Sequence, residues 1–154
     1  MRTIFRKLND GWNAEPNAPN PSIEVKGEDV VLKFSVNPLK FSEFQEGEVG
    51  VLRFVRCARY RLGSTNDEGW YLGQCRFSKL APGWGEFYLV EGDAELLDAP
   101  KDWQSVSPKQ DSAKHYLFYF RDETFECSAD ECVIEPSVDN SLFLRGKVLP
   151  TLSI

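Results

Sequence analysis

The segment that decides the fold is HYLFYF (residues 115–120), RDE (121–123) and TFECSA (124–129). Two strand-forming arms flank a short charged turn. Aromatic side chains suit a pleated, half-buried surface and the charged triplet suits a solvated loop, so the segment reads as a β-hairpin. Both arms are apolar enough to place this hairpin centrally in a sheet, with Phe118, Phe120 and Phe125 as core or cross-strand contacts.

Outward from the hairpin, the same period of two recurs. Ser22–Lys26 and Val30–Val36 flank Gly27, Glu28 and Asp29, and Val30, Leu32, Phe34 and Val36 alternate with Val31, Lys33 and Ser35. That pattern predicts a second hairpin. Val49–Leu62 reads as the longest strand, with Leu52, Phe54, Ala58, Tyr60 and Leu62 in one phase and Arg53, Arg59 and Arg61 in the other. Shorter strands are expected over Trp70–Phe77 and Trp84–Glu91, a further short segment over Ala94–Leu97, one helical turn over Ala99–Trp103, and edge strands at Val133–Ile134 and Phe143–Leu149. Surface loops are expected near residues 13–21, 37–48 and 136–140. The first, NAEPNAPNP, holds three prolines in nine residues, which rules out helix and central strand. No apolar period of 3.6 persists for three turns. The expectation is one domain over residues 1–154, all-β and mainly antiparallel, a sandwich or barrel of about 8–10 strands with at most short helices. An α+β arrangement is the alternative.

Composition bounds the function. With 42% apolar and 13% aromatic residues the chain can form a packed core. Arg6 and Lys7 interrupt the apolar run that a signal peptide needs, and no apolar run approaches the roughly 20 residues of a membrane helix. Cys57, Cys75, Cys127 and Cys132 read as reduced thiols, so a cytoplasmic location is expected. A net charge of −6 and a pI of about 4.9 disfavour nucleic acid, whose binding rests on neutralising phosphates. A basic protein partner fits better, because Asp122, Glu123, Glu126, Asp130, Glu131 and Glu135 follow one another with no base between them.

Catalytic signals are thin. His115 is the single histidine and has no recognisable nucleophile setting beside it, so it reads as a solvated or hydrogen-bonded strand-end residue. The Cys127 to Cys132 spacing lies outside the common zinc clip, and neither metal nor cofactor is expected. Glu86 and Glu126 sit among aromatics, an environment that can raise a carboxyl pKa, yet paired solvent-facing carboxylates explain them more simply. Arg59 and Arg61 could fork onto an oxyanion. Trp12, Trp70, Trp84 and Trp103 each adjoin glycine or charge, as core strand-end residues do and as aromatic rims for partners also do.

The stretches Thr65–Tyr71 (TNDEGWY) and Tyr119–Glu126 (YFRDETFE) each combine acidic residues with aromatics. The second resembles the late aromatic hairpin, with its acidic turn, of small bacterial proteins, some grouped with immunity proteins of polymorphic toxin systems. That resemblance implies a toxin-neutralising or other interaction role, and it transfers no functional residue. The sequence therefore points to a binding or interaction protein rather than an enzyme, possessing contact residues Asp122, Glu123, Asp130, Glu131, Trp70, Trp84, Arg59 and Arg61. A small-ligand-binding sandwich or barrel and a carboxylate-based hydrolase are the alternatives.

Overall fold

The computed structural model describes residues 3–37, 48–63, 77, 86–92 and 94–134. Within these, the chain forms β1 (Ile4–Lys7), β2 (Ser22–Lys26), β3 (Asp29–Ser35), β4 (Val49–Val55) and β5 (Arg59–Gly63). It continues through β6 (Phe87–Glu91), helix α1 (Ala94–Asp98), β7 (Gln104–Ser105), β8 (Lys114–Tyr119), β9 (Thr124–Ala129) and β10 (Glu131–Ile134). A six-stranded sheet has the order β1-β6-β8-β9-β5-β7 and a four-stranded sheet the order β10-β4-β3-β2. Every pair is antiparallel. The chain is all-β, and each sheet keeps two edge strands rather than closing into a barrel.

Alternation dictates how the sheets meet. Val30, Leu32 and Phe34 of β3 and Leu52 and Phe54 of β4 point inward and are buried. They meet Phe87, Tyr116, Phe118 and Phe125 from the other sheet in one apolar cluster. Phe54 lies 5.4 Å from Tyr116 and 5.2 Å from Phe125 between ring centroids, and Phe34 lies 5.1 Å from Phe118. Offset and edge-to-face rings of this size fill a sandwich interior by area and by quadrupole contact. Trp12 stacks on Phe34 at 5.8 Å as a core residue. The hairpin at residues 115–129 is central, as its apolar arms imply.

The loop over residues 13–21 is pinned to the core. Ala14 bridges to Val36, Glu15 N donates to Ser35 O at 2.8 Å, and Ser35 N donates to Pro19 O at 2.7 Å. The expected loops over 37–48 and 136–140 lie mostly or wholly outside the described residues, as do the expected strands over Trp70–Phe77 (save Phe77) and Phe143–Leu149.

Two elements contradict the sequence reading, and β1 and β7 are strands that it did not expect. The long strand expected over Val49–Leu62 is two strands in two sheets, broken at Arg56–Ala58. Opposite it, β9 becomes β10 across Asp130 alone, so the paired ribbon turns a corner as one unit. Val55 pairs with Glu131 and Arg59 with Ser128, which sets three residues against two. One extra residue on one strand is a bulge, and a bulge bends the strand. Arg56 takes the strain with a φ of 48°. Asp29 accepts a hydrogen bond from Arg56 N at 2.9 Å and pairs with Arg53 Nε at 2.8 Å, satisfying the backbone at the bend. The helical turn expected over Ala99–Trp103 instead lies one segment earlier, in α1. A residue before proline is driven out of the α region, so the helix ends ahead of Pro100.

Candidate functional site

The outer face of the six-stranded sheet is apolar at one side and charged at the other. Register sets Val90, His115, Ser128 and Arg59 in one cross-strand row and Tyr88, Leu117, Glu126 and Arg61 in the next. Tyr88, Val90, Leu117, Tyr119 and Phe77 form a second apolar cluster, against which Leu96 and Leu97 of α1 pack. Across β9 and β5 the same face is ionic.

Glu126 is fully buried there, and His115 and Arg61 are among its partners. His115 Nε2 donates to its Oε2 at 2.7 Å, and Arg61 contributes a guanidinium contact to its Oε1 at 3.1 Å. Arg61 also forks onto Asp102, with Nε at 2.7 Å from Oδ1 and the terminal nitrogen at 3.1 Å from Oδ2. A buried carboxylate is costly unless it is paired and hydrogen-bonded, and this one is both. Burial opposes the charge on Arg61, but Asp102 and Glu126 hold its pKa above the ordinary value. The Arg61 hydrogen bond keeps the Asp102 carboxyl below its ordinary range.

Arg59 begins a second set of contacts. Its guanidinium lies 4.1 Å from the Trp103 ring centroid, its Nε donates to Ser128 Oγ at 3.4 Å, and it pairs closely with Asp98 at the end of α1. Trp103 in turn meets His115 edge-on at 6.0 Å. The hydrogen bond from Arg59 holds the Asp98 carboxyl below its ordinary value, with Lys109 and His115 adding to the effect. Arg59, Asp98, Lys109, His115 and Ser128 wall a cavity of about 470 Å³, within the size range of small-molecule sites. Its polar wall includes Arg59, Asp98, Lys109, Lys114, His115 and Ser128, and its apolar wall includes Val90, Leu97 and Ala113.

The residues read from sequence fall in several places. Arg59 and Arg61 share the outer face, and Arg59 lines the cavity. Asp122 is exposed and Glu123 half-buried in the turn between β8 and β9, where burial and then the neighbouring Asp122 charge raise the Glu123 carboxyl. Glu131 is exposed at the start of β10, and Asp130 is buried at the corner, paired with Arg56 and accepting from Ser112 Oγ at 2.9 Å. Asp122 and Asp130 thus stand at opposite ends of β9, a six-residue strand of roughly 20 Å. The acidic run is divided rather than gathered into one surface. Trp70 and Trp84 lie outside the described residues.

Sequence reasoning missed the His115–Glu126–Arg61–Asp102 chain, Asp98 and Lys109. The period-two phase shared by Glu126 and Ser128, opposite Arg59 and Arg61, was its one available signal. Cys57, Cys127 and Cys132 are free thiols, and burial pushes the thiols of Cys127 and Cys132 well up. Among the described residues no group of three or more histidine, cysteine or carboxylate side chains could hold a metal ion. Also among these residues, no helix is long and apolar enough to cross a membrane. Comparison with family models, curated proteins and solved structures returns no match.

Proposed function

We propose that the protein is a non-catalytic binding domain whose site is the cavity on the outer face of the six-stranded sheet. The observation that carries this reading is the cavity itself, in which an apolar wall faces convergent polar groups. Small-molecule sites combine those two features. Acid–base and nucleophilic catalysis fit less well. Ser128 Oγ is engaged by Arg59, whereas an activated nucleophile needs a bond to its base. Arg61 clamps both Glu126 and Asp102, and a carboxylate so clamped is a poor proton donor.

The protein-partner form of this reading, with immunity-type neutralisation of a basic toxin as its sharpest version, draws on the net charge of −6. Its contact surface would have to use Asp122 and Glu131 separately, since β9 holds them apart. A cytoplasmic setting agrees with the free buried thiols.

A screen of small metabolites by thermal shift, followed by amide shift mapping, tests the cavity reading. A ligand that binds the folded chain raises its melting temperature. Shifts concentrated at Val90, Leu97, Ala113 and His115 are expected. Hits that map only to the turn at residues 121–123 or to the four-stranded sheet would sink it.

A further inference from the structure

We infer that the cavity takes a small organic carboxylate, which replaces Asp98 on Arg59 and lays its apolar arm against Val90, Leu97 and Ala113. This rests on the cavity being the binding site.

Charge comes first. In a chain of net charge −6, the cavity wall sets Arg59, Lys109 and Lys114 against Glu91, Asp98 and Asp111. Glu91, also on its wall, is paired with Arg6 at 3.2 Å. Three bases thus face the two carboxylates that Arg6 does not balance, so the wall is locally positive in a chain that is negative as a whole, which favours an anion.

Arg59 next defines the kind of anion. Trp103 covers its face and Ser128 meets its Nε, so the guanidinium is held in one plane. A fixed fork of donors matches a planar two-oxygen group. The group paired with it at rest is the carboxylate of Asp98, which marks where a ligand carboxylate would sit.

Asp98 is also easily displaced. It ends a five-residue helix, too short to be stable alone and without a fully buried residue of its own. Its side chain is 48% exposed, and an ion pair so open to water is weak. Asp98 thus acts as an internal competitor, and ligand affinity is lowered by the fraction of time it occupies Arg59.

The test uses the full chain with three probes: benzoate, its neutral analogue benzamide, and inorganic phosphate. Amide shifts of Val90, Leu97 and Ala113 report occupancy. Benzoate should bind, and Asp98→Asn should tighten it about two- to sixfold by removing the competitor. Arg59→Gln should weaken it by about tenfold or more, and Arg59→Lys, which keeps the charge but loses the fork, should also weaken it. Melting curves confirm that each variant is folded, and Arg59→Lys carries the comparison should Arg59→Gln fail to fold. If Asp98→Asn leaves affinity unchanged or lowers it, the internal competitor is refuted. Benzamide or phosphate shifting these amides as strongly as benzoate would overturn the carboxylate assignment while leaving the cavity as the site. Failure of benzoate to shift them at all also overturns the assignment, and the metabolite screen then decides the cavity reading by itself.

Discussion

Glu126 shows how one side chain can organise a sheet face. Its neighbours in sequence, Phe125 and Cys127, point into the core, so alternation aims the carboxylate at the outer face. There it is buried and must be paired and hydrogen-bonded, and Arg61 supplies the ion pair and His115 a hydrogen bond from the two flanking strands. Removing the carboxylate would leave a half-buried guanidinium with Asp102 alone and take from the His115 imidazole its Glu126 partner. Glu126→Ala should therefore cost about 3–5 kcal/mol, the scale for breaking a buried pair. Chemical denaturation measures it, and a loss under about 1 kcal/mol would show that the network contributes little. The sequence revealed that Glu126 sits among aromatics but not that Arg61 lies 3.1 Å away, because that contact joins residues 65 positions apart.

At the scale of elements, local patterns were legible and bends were not. The hairpin of β2 and β3 closes with Gly27 and Glu28, and Gly27 has a φ of 63° while Glu28 does not have a positive φ. A two-residue loop with the left-handed residue first is the type II′ turn, whose twist matches the strands. A Cβ at Gly27 would meet nothing within 4 Å, so Gly27→Ala isolates the backbone effect. It should lower stability by roughly 1–3 kcal/mol through positive-φ strain, read from the denaturation midpoint. A neutral result would mean that the turn relaxes. The corner at Arg56–Ala58 left no such signal. An added residue there breaks the strand, yet Ala58 and Tyr60 return to the phase of Leu52 and Phe54, so the alternation reads on without interruption. Asp29, which satisfies the bend, comes from another hairpin.

For the whole molecule, electrostatics set an acid limit. Asp98 and Asp102 are held below their ordinary value of 3.8 chiefly by Arg59 and Arg61. At Asp29 burial pushes upward, but Arg56 and Arg53 outweigh it and the carboxyl is again lowered. A carboxylate whose folded pKa is depressed binds protons more readily unfolded, so its stabilisation is present above the unfolded value and is lost as pH falls through the folded one. Glu123, raised by burial and Asp122, acts in the opposite sense but is one group against three. The melting temperature should hold above about pH 5 and fall steeply below about pH 4, with Asp29→Asn flattening part of the fall. A melting temperature level between pH 5 and pH 3 would contradict this account.

Sequence alone determined that this chain is all-β and antiparallel, where its central hairpin lies, and which phases face the core. Those properties follow from alternation within a few residues, which any strand must obey to bury one face. Tertiary structure decided that the ribbon bends into two sheets, that the acidic run is divided along β9, and that Arg59, Asp98 and His115 meet around one cavity. These depend on pairings between segments tens of residues apart. Coulomb attraction and burial act there between groups whose spacing along the chain carries no trace of their distance in space.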